Sequence, residues 1–455
     1  MTSQRFHFSG IAGAGMGPLA CLMKARGHAV QGSDRAFDQG KKQEIAAQLR
    51  RLGIELAPQD GTAVTAAIDR VVYSAAVEAD TPELRAARAL GLECLPRPQL
   101  LAEVVNHATP GVAISGTSGK STVVGMLGWL LREGGVRATV LGGADFVNEG
   151  TGGCFVAGPA EGPAVAEACE SDGTLVGYHP TIGVIHNISR DHDELSALRP
   201  QFTAFARNCG KLLVGADCPE AAALGQRFKA ATYGVGQDAD ARLRVVSVGP
   251  RRGRGVLRHG GRDLTLDIPQ PGLHNLQNAT AAALAALEIG LDADAVSGLL
   301  ARFPGVARRF ELVGTTPRDI HVVDDYAHNG EKIRAAITTA QAGSARVVAV
   351  FQPHGFGPAR FLRNELRTII PTLLRPQDRF CYAEIFYAGG TVAKDISSRM
   401  LADDLPAALE CGYARDHEAA RQWVVNEARP GDTVLIMGAR DPDLPRLARA
   451  VVSSL

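Results

Sequence analysis

At 455 residues the chain is too long for a single hydrophobic core and is expected to fold as two or three domains, each with its own apolar interior. Hydrophobic residues make up 45% and charged residues 21%, and 48 basic side chains balance 48 acidic ones, so no net field draws the protein to nucleic acid or to a membrane surface. The eight cysteines include no Cys-x-x-Cys spacing, Met1 to Gly10 holds no long apolar segment after a basic one, and no apolar run approaches the ~18 residues of a membrane span; reduced thiols in a cytoplasm are expected.

In chain order, Arg5 to Ser9 reads as a strand and Met16 to Arg26 as a helix, joined by Gly10-Ile11-Ala12-Gly13-Ala14-Gly15; Val30 to Asp34 follows as a second strand ending in an acid. This is the opening of a βαβ unit of dinucleotide-binding type. The glycines are spaced Gly-x-x-Gly-x-Gly, not Gly-x-Gly-x-x-Gly, so the turn either receives a phosphate or lets the helix pack close to the sheet. Val71 to Ala76 is a further strand running into a small-residue loop. Pro96 to Pro110 reads as a loop-rich boundary.

Next comes Gly116-Thr117-Ser118-Gly119-Lys120-Ser121-Thr122, between an apolar run, Gly111 to Ser115, and a helical run, Val123 to Arg132. A strand, a tight glycine turn and a helix aim backbone N–H groups and the positive helix end at one spot, with the Lys120 ammonium beside them, which suits polyphosphate. The Ser121 hydroxyl then faces a magnesium ion. The strict P-loop pattern has glycine where Ile114 stands. Lys120 is expected to be a solvent-side charge with no part in a core.

Strands are expected at Thr139 to Gly142, Ala164 to Cys169, Thr181 to Asn187 and Lys211 to Val214 with helices between, the pattern of a mainly parallel sheet covered on both faces. Arg251 to Ile268 reads as hairpins. After Phe303-Pro304-Gly305 the alternation restarts, with strands at Ile320 to Asp324, Arg346 to Phe351, Arg379 to Ala383 and Thr433 to Met437, and this is expected to be a separate α/β domain. Glu170-Ser171-Asp172 and Asp191-His192-Asp193 both fall at strand ends, where ligands of parallel sheets collect. Ser121, Glu170 and His192 together offer the oxygen and imidazole ligands of a divalent cation beside a triphosphate. His274 to Ala279 opens a helix whose amides can cap it or read an adenine edge, and Asp324 to Asn329 ends a strand where a carboxylate can hold a ribose.

The order of these segments resembles the muramyl ligases (Mur ligases) of peptidoglycan synthesis over nearly the whole length. The resemblance is carried by Gly10 to Met16, Gly116 to Thr122, Glu167 to Asp172, Asn187 with Asp191-His192, His274 to Ala279, Arg308-Arg309-Phe310, Asp324 to His328 and Phe351-Gln352-Pro353-His354. It implies an α/β protein of three domains: a Rossmann-like UDP-sugar domain at 1–107, a central P-loop ATPase-type parallel sheet at 108–304 and a Rossmann-like closing domain for the amino acid at 305–455. The implied reaction joins the carboxylate of UDP-N-acetylmuramate to an amino acid, L-alanine foremost, at the expense of ATP with Mg2+. Lys120, Glu170 and His192 would carry the chemistry, and Ser121, Glu170 and His192 would hold the metal. Gly116 to Thr122 with Asn278, Arg309, Asp324 and His328 would hold ATP. The UDP-sugar would lie on Gly10, Gly13, Ala14, Gly15 and Met16, with Ser33, Asp34 and Ser74. His354 and Arg360 would meet the amino acid.

The chain departs from the family pattern at Cys169, Asp193 and Gly330, and above all at Gly355-Phe356-Gly357-Pro358, where arginines are usual. Arg360 is the nearest remaining guanidinium. Partners are expected to be these small molecules only, with a monomer or homodimer and no nucleic acid or membrane. A peptide-adding recycling ligase is a second reading within the family, and a non-catalytic nucleotide-binding regulator is one from another class. An NAD-dependent oxidoreductase would rest on the first glycine turn alone.

Overall fold

The computed structural model describes residues 3–74, 77–147, 155–170, 173–189, 194–387 and 392–455. The fold is α/β with three sheets. The chain divides into two compact units, one of Met1–Ser247, Arg254–Ile268 and Leu273–Pro304, the other of Val248–Gly253, Pro269–Gly272 and Gly305–Leu455. The first unit holds two sheets and the second holds one.

The first sheet has five parallel strands in the order Glu55–Ala57, Ala29–Ser33, Arg5–Ser9, Arg70–Tyr73, Glu93–Pro96. This is a doubly wound arrangement, in which the strand order reverses beside the first strand and opens a crevice at the carboxyl ends. The helix Met16–Ala25 starts at the glycine turn and buries Met16, Leu19, Ala20, Leu22 and Met23.

Residues 96–110 are not the loop expected from their prolines. Arg97–Asn106 is a helix with proline in its first turn, where a missing N–H costs no hydrogen bond. It touches strands of both sheets of the first unit, and one apolar core runs from Phe6 and Phe8 through Leu100, Leu101 and Val105 to Phe202 and Val214.

The second sheet has ten strands. At its centre the buried strand Gly111–Ser115 lies parallel between Ile182–Ile185 and Ala164–Glu167. Lys211–Gly215 and Ala231–Gly234 continue the sheet in parallel on one side. Beyond them Ala241–Val248, Gly253–His259 and Arg262–Ile268 follow as sequential neighbours, the expected hairpins. Gly260 and Gly261 both take positive φ, 57° and 76°, the demand of a two-residue hairpin turn.

The third sheet runs Glu311–Thr315, His321–Asp325, Thr433–Gly438, Val347–Gln352, Arg379–Ala383, Gly412–Ala414. Only the Glu311–Thr315 edge is antiparallel. The last strand of the chain is inserted at the centre and is buried at every position, as is Val347–Gln352. Continuous apolar runs of this kind fit parallel strands covered on both faces. Every described cysteine is a free thiol, and no described helix is long and apolar enough to cross a membrane.

Candidate active site

The strand Gly111–Ser115 is followed by a four-residue turn, Gly116 to Gly119, and then by the helix Lys120–Glu133. Ile114, which interrupts the strict P-loop spacing, is a buried strand residue, so the turn starts two residues beyond it. Gly119 has φ +88°, and a Cβ there would lie 2.5 Å from Asn278 Oδ1 and 2.9 Å from His186 Cδ2. Glycine is therefore required both by the backbone and by the space.

Two of the turn's amides already have partners. Asn187 accepts from Thr117 N through its carbonyl at 3.0 Å and from Ser118 N through its Oδ1 at 2.8 Å. Thr117 Oγ1 donates to the carbonyl of Ser189 at 3.0 Å. These bonds fix the turn to the end of the neighbouring strand. No side chain caps the helix that follows, and an uncapped helix start of this kind suits an anion.

Lys120 is not the solvent-side charge expected from its loop position. Its side chain is 12% exposed, and Nζ lies 2.9 Å from Glu170 Oε2, whose side chain is 6% exposed. Nζ also donates to the carbonyl of Gly116. Burial by itself lowers the Lys120 ammonium, but Cys169 when ionised, Glu170 and Glu167 more than offset that and hold it above its ordinary value. The adjacent strands Gly111–Ser115 and Ala164–Glu167 bring the two residues together, fifty positions apart in sequence. Ser171, Asp172 and Asp191 to Asp193, including His192, lie outside the described residues. Among the described residues no group of three or more His, Cys, Asp or Glu could hold a metal.

Behind the turn lies a residue that motif reading missed. His186 directly follows the strand Ile182–Ile185 beside the turn, and its Nδ1 is 2.8 Å from the Tyr233 hydroxyl. Burial, against smaller opposing effects of Asn278 and Asp217, lowers its imidazole to about 4, so it is neutral at pH 7. Asn278 is buried and donates to Asn275 Oδ1 at 3.1 Å. Asp217 accepts from Gln277 Nε2 at 2.7 Å and from Val235 N at 2.9 Å. His186 is adjacent to Asn187, but its partner Tyr233 is 47 residues away, and no local pattern signals the pair.

At the first sheet, Gly10, Gly13, Ala14 and Gly15 form the turn at the crevice. Asp34 Oδ2 accepts from Ala12 N and Asp34 Oδ1 from Ala36 N, both at 2.9 Å; the acid shapes the turn and caps a short helix. Met16 and Ser33 are buried. The Ser33 and Ser9 hydroxyls both donate to Glu83, which also lies 2.8 Å from His7 Nε2. Burial favours the neutral acid at Glu83, but His7 and the two hydroxyls outweigh it and hold the carboxyl below its ordinary value. Ser74 donates through its backbone N to the carbonyl of Ser9 at 3.3 Å. Two cations border the turn: Arg97 packs against Gly15, and Lys42 Nζ donates to the carbonyl of Ala12 at 3.1 Å. Neither was legible as a site residue, because each comes from a segment remote from the turn.

In the second unit, Asp324 is fully buried and lies 3.2 Å from Arg308 Nε. Burial, against the pull of Arg308, raises its carboxyl to about 6. Asp324 is thus committed to Arg308, whose guanidinium also donates to the carbonyl of Gly438 at 2.6 Å. Arg308 and Arg309 both lie over the Tyr326 ring, at 5.0 and 5.1 Å. The rings of Tyr326, His328 and His354 follow edge to face at 5.6 and 5.5 Å. Arg360 is ion-paired with Asp395 in an exposed pair.

Residues 5–109 match the Mur ligase family, catalytic domain; residues 114–286 match the Mur ligase middle domain; and residues 308–440 match the Mur ligase, glutamate ligase domain. The chain is 35% identical over 457 residues to a UDP-N-acetylmuramate--L-alanine ligase of Kineococcus radiotolerans, covering 96% of this chain and 93% of that protein. It is 36% identical over 439 residues to one of Arthrobacter sp., covering 93% and 90%. Among solved structures it is similar to a UDP-N-acetylmuramate-alanine ligase from Thermotoga maritima, with a TM-score of 0.78 at 26% identity over 99% of this chain and 98% of that one. The chain belongs to the Mur ligase family.

Proposed function

We propose that the protein is an ATP-dependent, ADP-forming ligase that joins the carboxylate of UDP-N-acetylmuramate to L-alanine in the synthesis of peptidoglycan precursors. The observation that carries this reading is the Lys120–Glu170 pair beside the uncapped helix start at Gly119. A carboxylate is a poor electrophile, so its oxygen first takes the γ-phosphoryl of ATP and ADP leaves. The amine then attacks the acyl phosphate, phosphate departs with that oxygen, and the amide forms as the amine gives up a proton. Such transfers need positioning and charge stabilisation more than covalent help from the protein. Lys120, an ammonium at neutral pH, supplies positive charge where the phosphoryl moves.

Ser121 at the helix start and the Glu170 carboxylate, which among the described residues accepts only from Lys120, are hard oxygen donors and fit a magnesium ion. The ion, when bound, neutralises phosphate charge. His192 is assigned to the same task from its sequence position. Asn278, with Asn275, is assigned to the adenine, and the first-sheet turn with Arg97 and Lys42 to the UDP diphosphate. In the second unit, Arg309 and His328 are assigned to the nucleotide and His354 to the amino acid, with Asp324 holding Arg308 in place. Domain limits at 107/108 and 304/305 and a cytoplasmic location accompany this reading.

The test is phosphate release from ATP with Mg2+, UDP-N-acetylmuramate and a panel of amino acids and peptides, with the product identified by mass. Release that requires both the UDP-sugar and L-alanine is expected. Release only with a peptide would assign the recycling reaction, and none with any acceptor would leave a nucleotide-binding regulator.

A further inference from the structure

Arg440 follows the central strand Thr433–Gly438 of the third sheet with φ +65°, a left-handed conformation uncommon for residues other than glycine and costly to hold. Its backbone N–H donates to the Tyr326 hydroxyl at 3.3 Å. The sheet register shows what stands beside it. Gln352 pairs with Gly438, and two residues further along each chain are His354 and Arg440. Asp325 pairs with Met437, and three residues further along are His328 and Arg440. The strand that leads to Arg440 therefore lies between the strands that lead to His328 and His354, whose rings are 5.5 Å apart.

Several other charged groups of this unit are committed. Arg308 holds Asp324 and the carbonyl of Gly438, and Asp441 accepts from Asp443 N and pairs with His417. Arg360 is engaged by Asp395. Arg440 is exposed and, among the described residues, makes no ion pair. A strained backbone kept just past the end of a strand whose two neighbours lead to the paired imidazoles, with a guanidinium that makes no ion pair among the described residues, is the arrangement of a site for an anion that the protein does not itself supply.

We propose that Arg440 supplies the guanidinium that pairs with the carboxylate of the amino-acid substrate, in place of the arginines missing after His354. The proposal rests on the reading of the chain as an amino-acid ligase. Glycine suits the conformation better than arginine, so Arg440→Gly is expected to melt at the wild-type temperature or above it. Its KM for L-alanine should rise about ten- to a hundredfold, as for a lost charge-assisted bond, while its KM for ATP stays within twofold. The wild-type preference for L-alanine over L-alaninamide, which lacks the carboxylate, should collapse by a similar factor. Arg440→Lys should recover part of both effects, and Arg440→Asn, which also tolerates this φ, should behave as the glycine variant does. A folded Arg440→Gly or Arg440→Asn enzyme with wild-type KM and wild-type preference would overturn the assignment of Arg440 alone. A wild type that uses no amino acid would overturn the ligase reading and this assignment with it.

Discussion

His186 couples the glycine turn to acid stability, and the size of the effect follows from its burial. The imidazole titrates near 6.5 in the unfolded chain and near 4 in the native one. Between these values the unfolded state binds the extra proton, so stability is complete above 6.5 and is lost as the pH falls towards 4. The difference of about 2.5 pH units corresponds to roughly 3.5 kcal/mol at about 1.4 kcal/mol per unit. His186→Gln keeps a polar group for Tyr233 and removes the titration. The measurement is urea unfolding of both proteins at pH 7.5 and pH 4.5. The two tryptophans are placed one in each unit, so in a Trp423→Phe background the fluorescence comes from Trp129, whose indole donates to the carbonyl of Leu299 at 2.9 Å. Asp324, raised to about 6, works in the opposite direction, since its native carboxyl keeps a proton that the unfolded chain has lost. It lies in the other unit and is common to both proteins, so it cancels in the comparison. The wild type should lose about 2 to 3 kcal/mol more than His186→Gln between the two pH values. Equal losses would show that His186 is protonated in the native turn and would refute the reasoning.

Lys120→Met should cut phosphate release about a hundredfold or more and also destabilise the first unit, because it strands a nearly buried Glu170 carboxylate. The double variant with Glu170→Gln should unfold at higher urea than Lys120→Met alone while remaining inactive, and additive stability losses would show that the pair is not coupled. Gly13→Val places a branched side chain whose Cβ lies 3.3 Å from the Gly10 carbonyl and 3.5 Å from Met16 Cγ; it should raise the KM for the UDP-sugar and leave that for ATP nearly unchanged, with tight NAD binding as the contrary result. Arg360→Ala removes a solvent-exposed ion pair, which contributes little to stability, so both melting temperature and amino-acid KM should stay near wild type. A tenfold rise in that KM would return the carboxylate to Arg360 and away from Arg440.

The glycine turn Gly116–Thr122, the alternating strands and helices and the order of the eight segments were all legible in the chain, because each is a local pattern of backbone freedom, apolar period or short spacing. Local pattern also misled at 96–110, where prolines that open and follow a helix read as a loop. Tertiary structure alone decided the partners. Lys120 reads as a loop cation until strand pairing brings Glu170 beside it, and only the fold shows that the oxygens of Asp34 hold Ala12 and Ala36. His186, Glu83 and Arg97 carry no motif, since their roles come from groups dozens of residues away. Arg440 looks like an ordinary surface arginine until the last strand of the chain is found at the centre of its sheet, between the strands that lead to His328 and His354. Sequence determines what each segment can form by itself, whereas the pairing of charges and the neighbours of a strand end depend on which distant segments the sheet order sets side by side.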